Sequence, residues 1–445
     1  MRRIRLCFVF VCLIYLLLPF RVNAVVTIDI TGGLGSGMPI AVVPFEWQGK
    51  GAPPVDLAKI VTADLTRSGR FDVLPIRDYL SRPSHHSEVQ FKDWQLIKAE
   101  ALIFGRLKPI AGNRIQIEWQ LWDVFGEKRI GGYAERIVHE QSQLRKKAHQ
   151  ISDRTIKELI GQGAEFDSSM AYVCVEQIAS RGPLYRLLVA DSDGFAPQEV
   201  VKDSNVIGSP SWSPDRKYIA FVSYSEQKSP KVFVYETATG KVTKVADFKG
   251  SAHAPSWSPN SRLIALSLSI NMNRDIYLLD PFTKNQKLTR LTRHSAADTS
   301  PSWAPNGRSL LFTSDRSGRP QIYRIPVTGG NPVRITFQGR ENSRASFDPD
   351  AKTIVMVTNQ GNGDQIGVFS LSNKQMRILT GGRLDESPTF SPNGSMILYS
   401  TKRGGRAFLE IVSTNGRNTY PLKFKQGFSC HSPAWSPLID VKETN

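Results

Sequence analysis

The feature that most constrains this chain is a short motif that returns six times. It reads PSWSPD at residues 210–215, PSWSPN at 255–260, PSWAPN at 301–306, ASFDPD at 345–350, PTFSPN at 388–393 and PAWSP at 433–437. Its aromatic positions are Trp212, Trp257, Trp303, Phe347, Phe390 and Trp435, with spacings of 45, 46, 44, 43 and 45 residues. A period of this size matches one four-stranded blade of a β-propeller. Each unit repeats the same order. The motif is a short strand, and Pro-Asp or Pro-Asn supplies a turn. An apolar strand follows, such as residues 218–222, then a third such as 231–235, then a Gly-bearing turn and a short fourth strand. No helical period appears inside the units, which sets aside a helical solenoid.

The ends of the array count the blades. Before the first motif lie three strand-like stretches with no motif of their own, at 171–175, 185–189 and 198–201. After the last motif no strand follows. The two incomplete ends make one blade between them, so five whole units and one composite give six blades. The last strand is expected to pair with 171–175 and close the ring, leaving no open edge.

Two of the four cysteines, Cys174 and Cys430, fall in the composite blade. In the second blade Ala252 corresponds to Cys430 and Leu268 to Cys174. A tight hairpin centred at residues 260–261 sets Leu268 opposite His253. Cys430 is then within about one residue of facing Cys174, and a one-residue slip turns side chains to opposite faces. A disulfide clasp and two buried free thiols are both open on this reading.

The N-terminus reads as an export signal. Arg2, Arg3 and Arg5 precede an apolar run at 6–20, and Val22-Asn23-Ala24 offers a cleavage site after Ala24. The run falls short of the ~20 residues of a spanning helix, so no direct membrane span is expected. The other two cysteines, Cys7 and Cys12, belong to this segment. The formal charge of +17 becomes +13 once its four arginines are removed. Such a charge favours anionic partners. The Lys and Arg residues are scattered rather than gathered in a stripe with aromatics, which argues against nucleic acid.

Residues 25–165 carry no repeat and read as a small α/β (α+β) domain, with the propeller at 166–445. Strands are expected at 25–30, 39–45 and 101–107 and as a hairpin of 115–124 with 130–137. Helices are expected at 56–68, near 94–98 and at 143–160. Gly33, Gly35 and Gly37 resemble a nucleotide loop, but a strand follows them and no helix N-terminus would face a phosphate. The seven histidines show no metal-ligand spacing. Asp191-Ser192-Asp193-Gly194 resembles part of a calcium loop without its remaining ligands. Similar propellers precede the hydrolase domain of prolyl-oligopeptidase-like enzymes, but the Gly-x-Ser-x-Gly elbow that domain needs is absent. No cofactor, no metal and no catalysis are expected.

Taken together, the signal, the strand at 39–45, the helix around residues 60–65, the stretch TSDRSGRPQIY at 313–323 and the six motifs make the chain resemble the TolB family of the Tol–Pal envelope system. The resemblance implies a periplasmic scaffold that supports outer-membrane constriction at division and envelope integrity. It implies a propeller that binds the lipoprotein Pal and an N-terminal segment that binds the C-terminal domain of TolA. Other outer-membrane or peptidoglycan-associated proteins are further candidate partners. The TolA segment would be Val25, Val26, Thr27, Ile28, Asp29, Ile30, Gly33, Gly35 and Ser36, whose alternation suits an added strand. The Pal site would lie at the channel mouth, on Gly208, Ser209, His253, Ala254, Thr299, Ser300, Asp385, Glu386 and Ser432. Trp212, Trp257, Trp303 and Trp435 read as packing residues. A different reading is a propeller that binds a sugar or peptidoglycan fragment through channel aromatics.

Overall fold

The computed structural model describes residues 37–438 apart from 113, 133, 139–141, 164, 181, 226–228, 246–247 and 284–287. The described residues belong to one compact unit that begins at Ser36. No helix among them is long and apolar enough to cross a membrane.

The N-terminal part is a seven-stranded mixed sheet with helices. Its strands are β1 (Met38–Val42), β2 (Glu46–Trp47), β3 (Phe71–Val73), β4 (Ala101–Ile110), β5 (Arg114–Asp123), β6 (Lys128–Gly131) and β7 (Ala134–Val138). The order is β3-β1-β4-β5-β6, with β2 added to β4 and β7 to β5. Strand β1 is parallel to both neighbours. The strand expected to reach residue 45 stops at Val42, because Pro44 has no N–H to continue the ladder. Helix α1 (Leu57–Ser68) starts where Asp56 Oδ1 accepts the Lys59 N–H at 3.0 Å. It buries Leu57, Ile60, Val61 and Leu65. It ends at Gly69, which adopts φ 67°. A Cβ there would lie 2.8 Å from the Ser413 Cβ, so both the left-handed cap and the close approach require glycine. Helix α2 (Phe91–Leu96) brings Trp94 into a core with Leu102, Phe104 and Trp122. Helix α3 (Ser142–Ile160) leads to the propeller.

The remainder forms six four-stranded blades around one axis. Five are consecutive: their innermost strands are Ile207–Trp212, Ser251–Trp257, Asp298–Trp303, Glu341–Phe347 and Asp385–Phe390. These head blades one to five. Blade six is composite, with strand order Gln198–Asp203, Gly182–Asp191, Ser169–Ile178, Phe428–Trp435. The last strand among the described residues is therefore its innermost strand, hydrogen-bonded to Ser169–Ile178. Cys174 and Cys430 face each other in that ladder and are joined by a disulfide.

Adjacent blades share apolar cores. Val232 and Val234 of blade one cluster with Trp257, Leu266 and Leu279 of blade two. The motif aromatics are the wedges: Trp212, Trp257, Trp303 and Trp435 are each at most 9% exposed. Trp303 also donates from Nε1 to the Ser256 carbonyl of the preceding blade, at 3.0 Å.

Candidate functional site

Every innermost strand carries the same irregularity. Its register shifts by one residue in all six blades: between Gly208 and Ser211, His253 and Ser256, Thr299 and Ser302, Ser343 and Ser346, Glu386 and Thr389, and His431 and Ala434. Inside each bulge one non-glycine residue is left-handed: Ser209, Ala254, Ser300, Arg344, Ser387 and Ser432, with φ between 47° and 56°. Such a conformation costs about 1 kcal/mol or more per residue. Five of these residues precede a proline, so they form a ring defined by the motif itself. Such bulges bend the strands locally.

These residues line a channel of about 960 Å³ contributed by all six blades. Of the positions expected from sequence, Ser209, His253, Ala254, Thr299, Ser300 and Ser432 lie on its wall. Gly208, Asp385 and Glu386 do not. Gly208 sits one residue before the left-handed position, in register with Val222. Asp385 is only 1% exposed, because its register equivalents, such as Asp298 and Ala252, point into the blade. Glu386 is half-buried at the rim, 3.8 Å from Arg344 and 3.5 Å from Lys402. The sequence reading missed Arg344 and Ser387, which complete the ring. The signal was available: each stands immediately before its motif. Arg274 was missed for another reason. It lies on the third strand of blade two and reaches the channel from there. The segment from Val25 to Ser36 lies outside the described residues.

The electrostatics of the mouth are uneven. Burial holds the His253 imidazole below the ordinary histidine range, and Arg274 adds to the effect. His431 is depressed as well, by burial first, with Lys402 and Arg344 opposing Glu386. Blade three shows a closed ion pair: Arg316 donates to both oxygens of the buried Asp298 at 2.8 Å and lies over Phe312 and Tyr323.

The N-terminal part meets the propeller at the turns of blade five, at the end of its strands away from Ser387. Asn415 donates to the Gly69 carbonyl at 2.9 Å, Asn418 to Thr66 at 2.7 Å, and Arg417 pairs with Asp72 at 3.0 Å. Glu165, fully buried, accepts from the hydroxyls of Ser391 and Ser395 at the base of blade five. Burial pushes its carboxyl up to about 7. Nearby, His149 Nδ1 is 2.8 Å from Asp64, and its ring lies close to Asp191 and Asp193. The guanidinium of Arg145 already spans those two aspartates, at 3.4 and 2.5 Å, so an internal cation fills this acidic cluster.

Comparison with known proteins agrees with both halves of this architecture. Residues 26–130 match the TolB amino-terminal domain and residues 156–439 the TolB beta propeller domain. The chain is 40% identical over 429 residues to the Tol-Pal system protein TolB of Xanthomonas campestris pv. campestris (strain B100), covering 95% of this chain and 96% of that protein. It is 38% identical over 419 residues to that of Xylella fastidiosa (strain M12), covering 93% and 94%. The crystal structure of TolB from Acinetobacter baumannii superposes with a TM-score of 0.81 at 34% identity, covering 91% of this chain and 97% of that one. The chain belongs to the TolB family of Tol–Pal system proteins.

Proposed function

We propose that this protein is the non-catalytic periplasmic adaptor of its Tol–Pal system. It binds Pal at the mouth of the propeller channel and the TolA C-terminal domain through residues 25–36. In that role it supports outer-membrane constriction at division and envelope integrity. The observation that carries this reading is the ring of left-handed residues at an open channel mouth. Six blades hold this strained conformation on one face, and the contacts of blade five with Gly69 and Glu165 lie in turns at the other end of its strands. Strained backbone retained at an accessible opening is a mark of a binding site. The alternation of Val26, Ile28 and Ile30 supports strand addition for the second partner.

The test is calorimetry of residues 25–445 against the Pal periplasmic domain. Ser300→Arg and Ser432→Arg are the probes. Arg344 occupies the equivalent backbone position in blade four with φ 53°, so the fold accepts arginine there. Loss of Pal binding in both variants, with unchanged melting, supports the site. Wild-type protein that binds no Pal refutes the reading.

A further inference from the structure

The mouth holds a cation that the fold does not use. Arg274 follows the turn Asn271-Met272, in which both residues are left-handed and Met272 is fully exposed. Its side chain lines the channel beside His253. Its Nε is buried with no hydrogen-bond partner, and no carboxylate pairs with it among the described residues. The adjacent Asp275 is not available, because Arg290 holds it at 2.6 Å and Thr292 donates to it. Burying a guanidinium N–H without an acceptor is unfavourable.

The rest of the opening has the same sign. Arg344, half exposed, donates to Ser387 Oγ at 2.8 Å. It shares Glu386 with Lys402, so two cations stand around one carboxylate. Asp298 is neutralised by Arg316. Asp385 is buried inside blade five, on the side of the ring opposite Arg274. His253 and His431 are both held toward the uncharged form, by burial first, with Arg274 adding to the effect at His253 and Lys402 and Arg344 opposing Glu386 at His431.

We infer that the mouth is an anion-receiving site in which Arg274, with Arg344 across the opening, takes aspartate or glutamate side chains from the docked protein. The planar guanidinium fits a carboxylate with two parallel hydrogen bonds, and the channel wall excludes the water that would weaken them. The buried Nε then gains its acceptor on docking. The identity of the docked protein rests on the reading above; the anion chemistry does not.

Two titrations test it on residues 25–445, with wild type, Arg274→Gln and Arg274→Lys, each checked by thermal melting. The first is calorimetry with the Pal domain at about 50 and about 300 mM NaCl, a range over which exposed charge pairs are progressively screened. Arg274→Gln is expected to weaken binding about tenfold or more and to flatten the salt dependence; Arg274→Lys keeps the salt dependence with a smaller loss. The second follows tryptophan fluorescence with a capped Gly-Glu repeat peptide and its Gly-Gln counterpart. Only the Glu peptide should give a saturable signal, and Arg274→Gln should abolish it. Glu-peptide binding without Pal binding keeps the anion site and removes Pal as its partner. Pal binding indifferent to salt and to Arg274→Gln overturns the anion site and keeps Pal. Silence in both titrations overturns both.

Discussion

Cys430 stands directly opposite Cys174 because the innermost strand of blade six carries a bulge between His431 and Ala434. Below the bulge Trp435 pairs with Met170; continued without a break, that register would set Cys430 one residue away from Cys174. The bulge absorbs the offset, and the disulfide joins strands 256 residues apart in sequence. The same shift acts in blade two, where Ala252 rather than His253 faces Leu268.

Removing this clasp should therefore destabilise the ring. Cys174→Ser with Cys430→Ser is expected to cost about 2–5 kcal/mol, through the freedom it returns to the unfolded chain. Denaturant titration with and without reductant measures it. Equal midpoints in wild type and double variant, both oxidised, would show that the bond contributes nothing.

The left-handed ring makes a prediction at Ser300, where φ is 50°. Glycine relieves the strain, so Ser300→Gly should be neutral or stabilising by up to about 1 kcal/mol. A β-branched residue is worst there, and Ser300→Val should cost about 1–2 kcal/mol. A valine variant as stable as wild type contradicts the conformational argument.

Arg316 neutralises a fully buried carboxylate. Arg316→Ala should cost about 3–5 kcal/mol, because Asp298 is left uncompensated in the interior. Adding Asp298→Asn to that variant should recover part of the loss. Chemical denaturation of the single and double variants gives both quantities.

The contact between the N-terminal sheet and the propeller should weaken as pH rises. Burial raises Glu165 from 4.5 to about 7 and Asp153 from 3.8 to about 6. The folded state binds more protons than the unfolded one between those values. The stabilisation is complete below the unfolded values and is lost as pH rises through about 6 to about 7. His149 acts in the same direction: burial lowers it, but the Asp64 carboxylate more than offsets this and leaves it raised. Glu165→Gln removes the penalty of the ionised form, so it should stabilise by about 2 kcal/mol at pH 8 and by little near pH 4.5. A variant whose profile runs parallel to wild type would exclude Glu165 as the source.

The blade count and the ring closure were legible because they rest on period and on what each end lacks. The bulges were not. A hairpin register extrapolated from residues 260–261 has no way to register an extra residue unless the strand is seen paired. That one residue explains the ambiguity at Cys430; Asp385 was misplaced because it stands two residues before the ring position Ser387. Arg274 escaped because its side chain reaches the channel from the third strand of its blade, outside the motif. Contacts such as Asn415 with Gly69 join residues 346 apart and leave no local trace in sequence.

Strand Ser169–Ile178 has no inner partner until Phe428–Trp435 has been made. Until that strand is in place, the inner edge of Ser169–Ile178 is unpaired backbone, with the hazard of self-association that such edges carry. Phe428–Trp435 covers it. The bond between Cys174 and Cys430 is then a covalent record that the ring has closed, which a chain lacking Phe428–Trp435 cannot form.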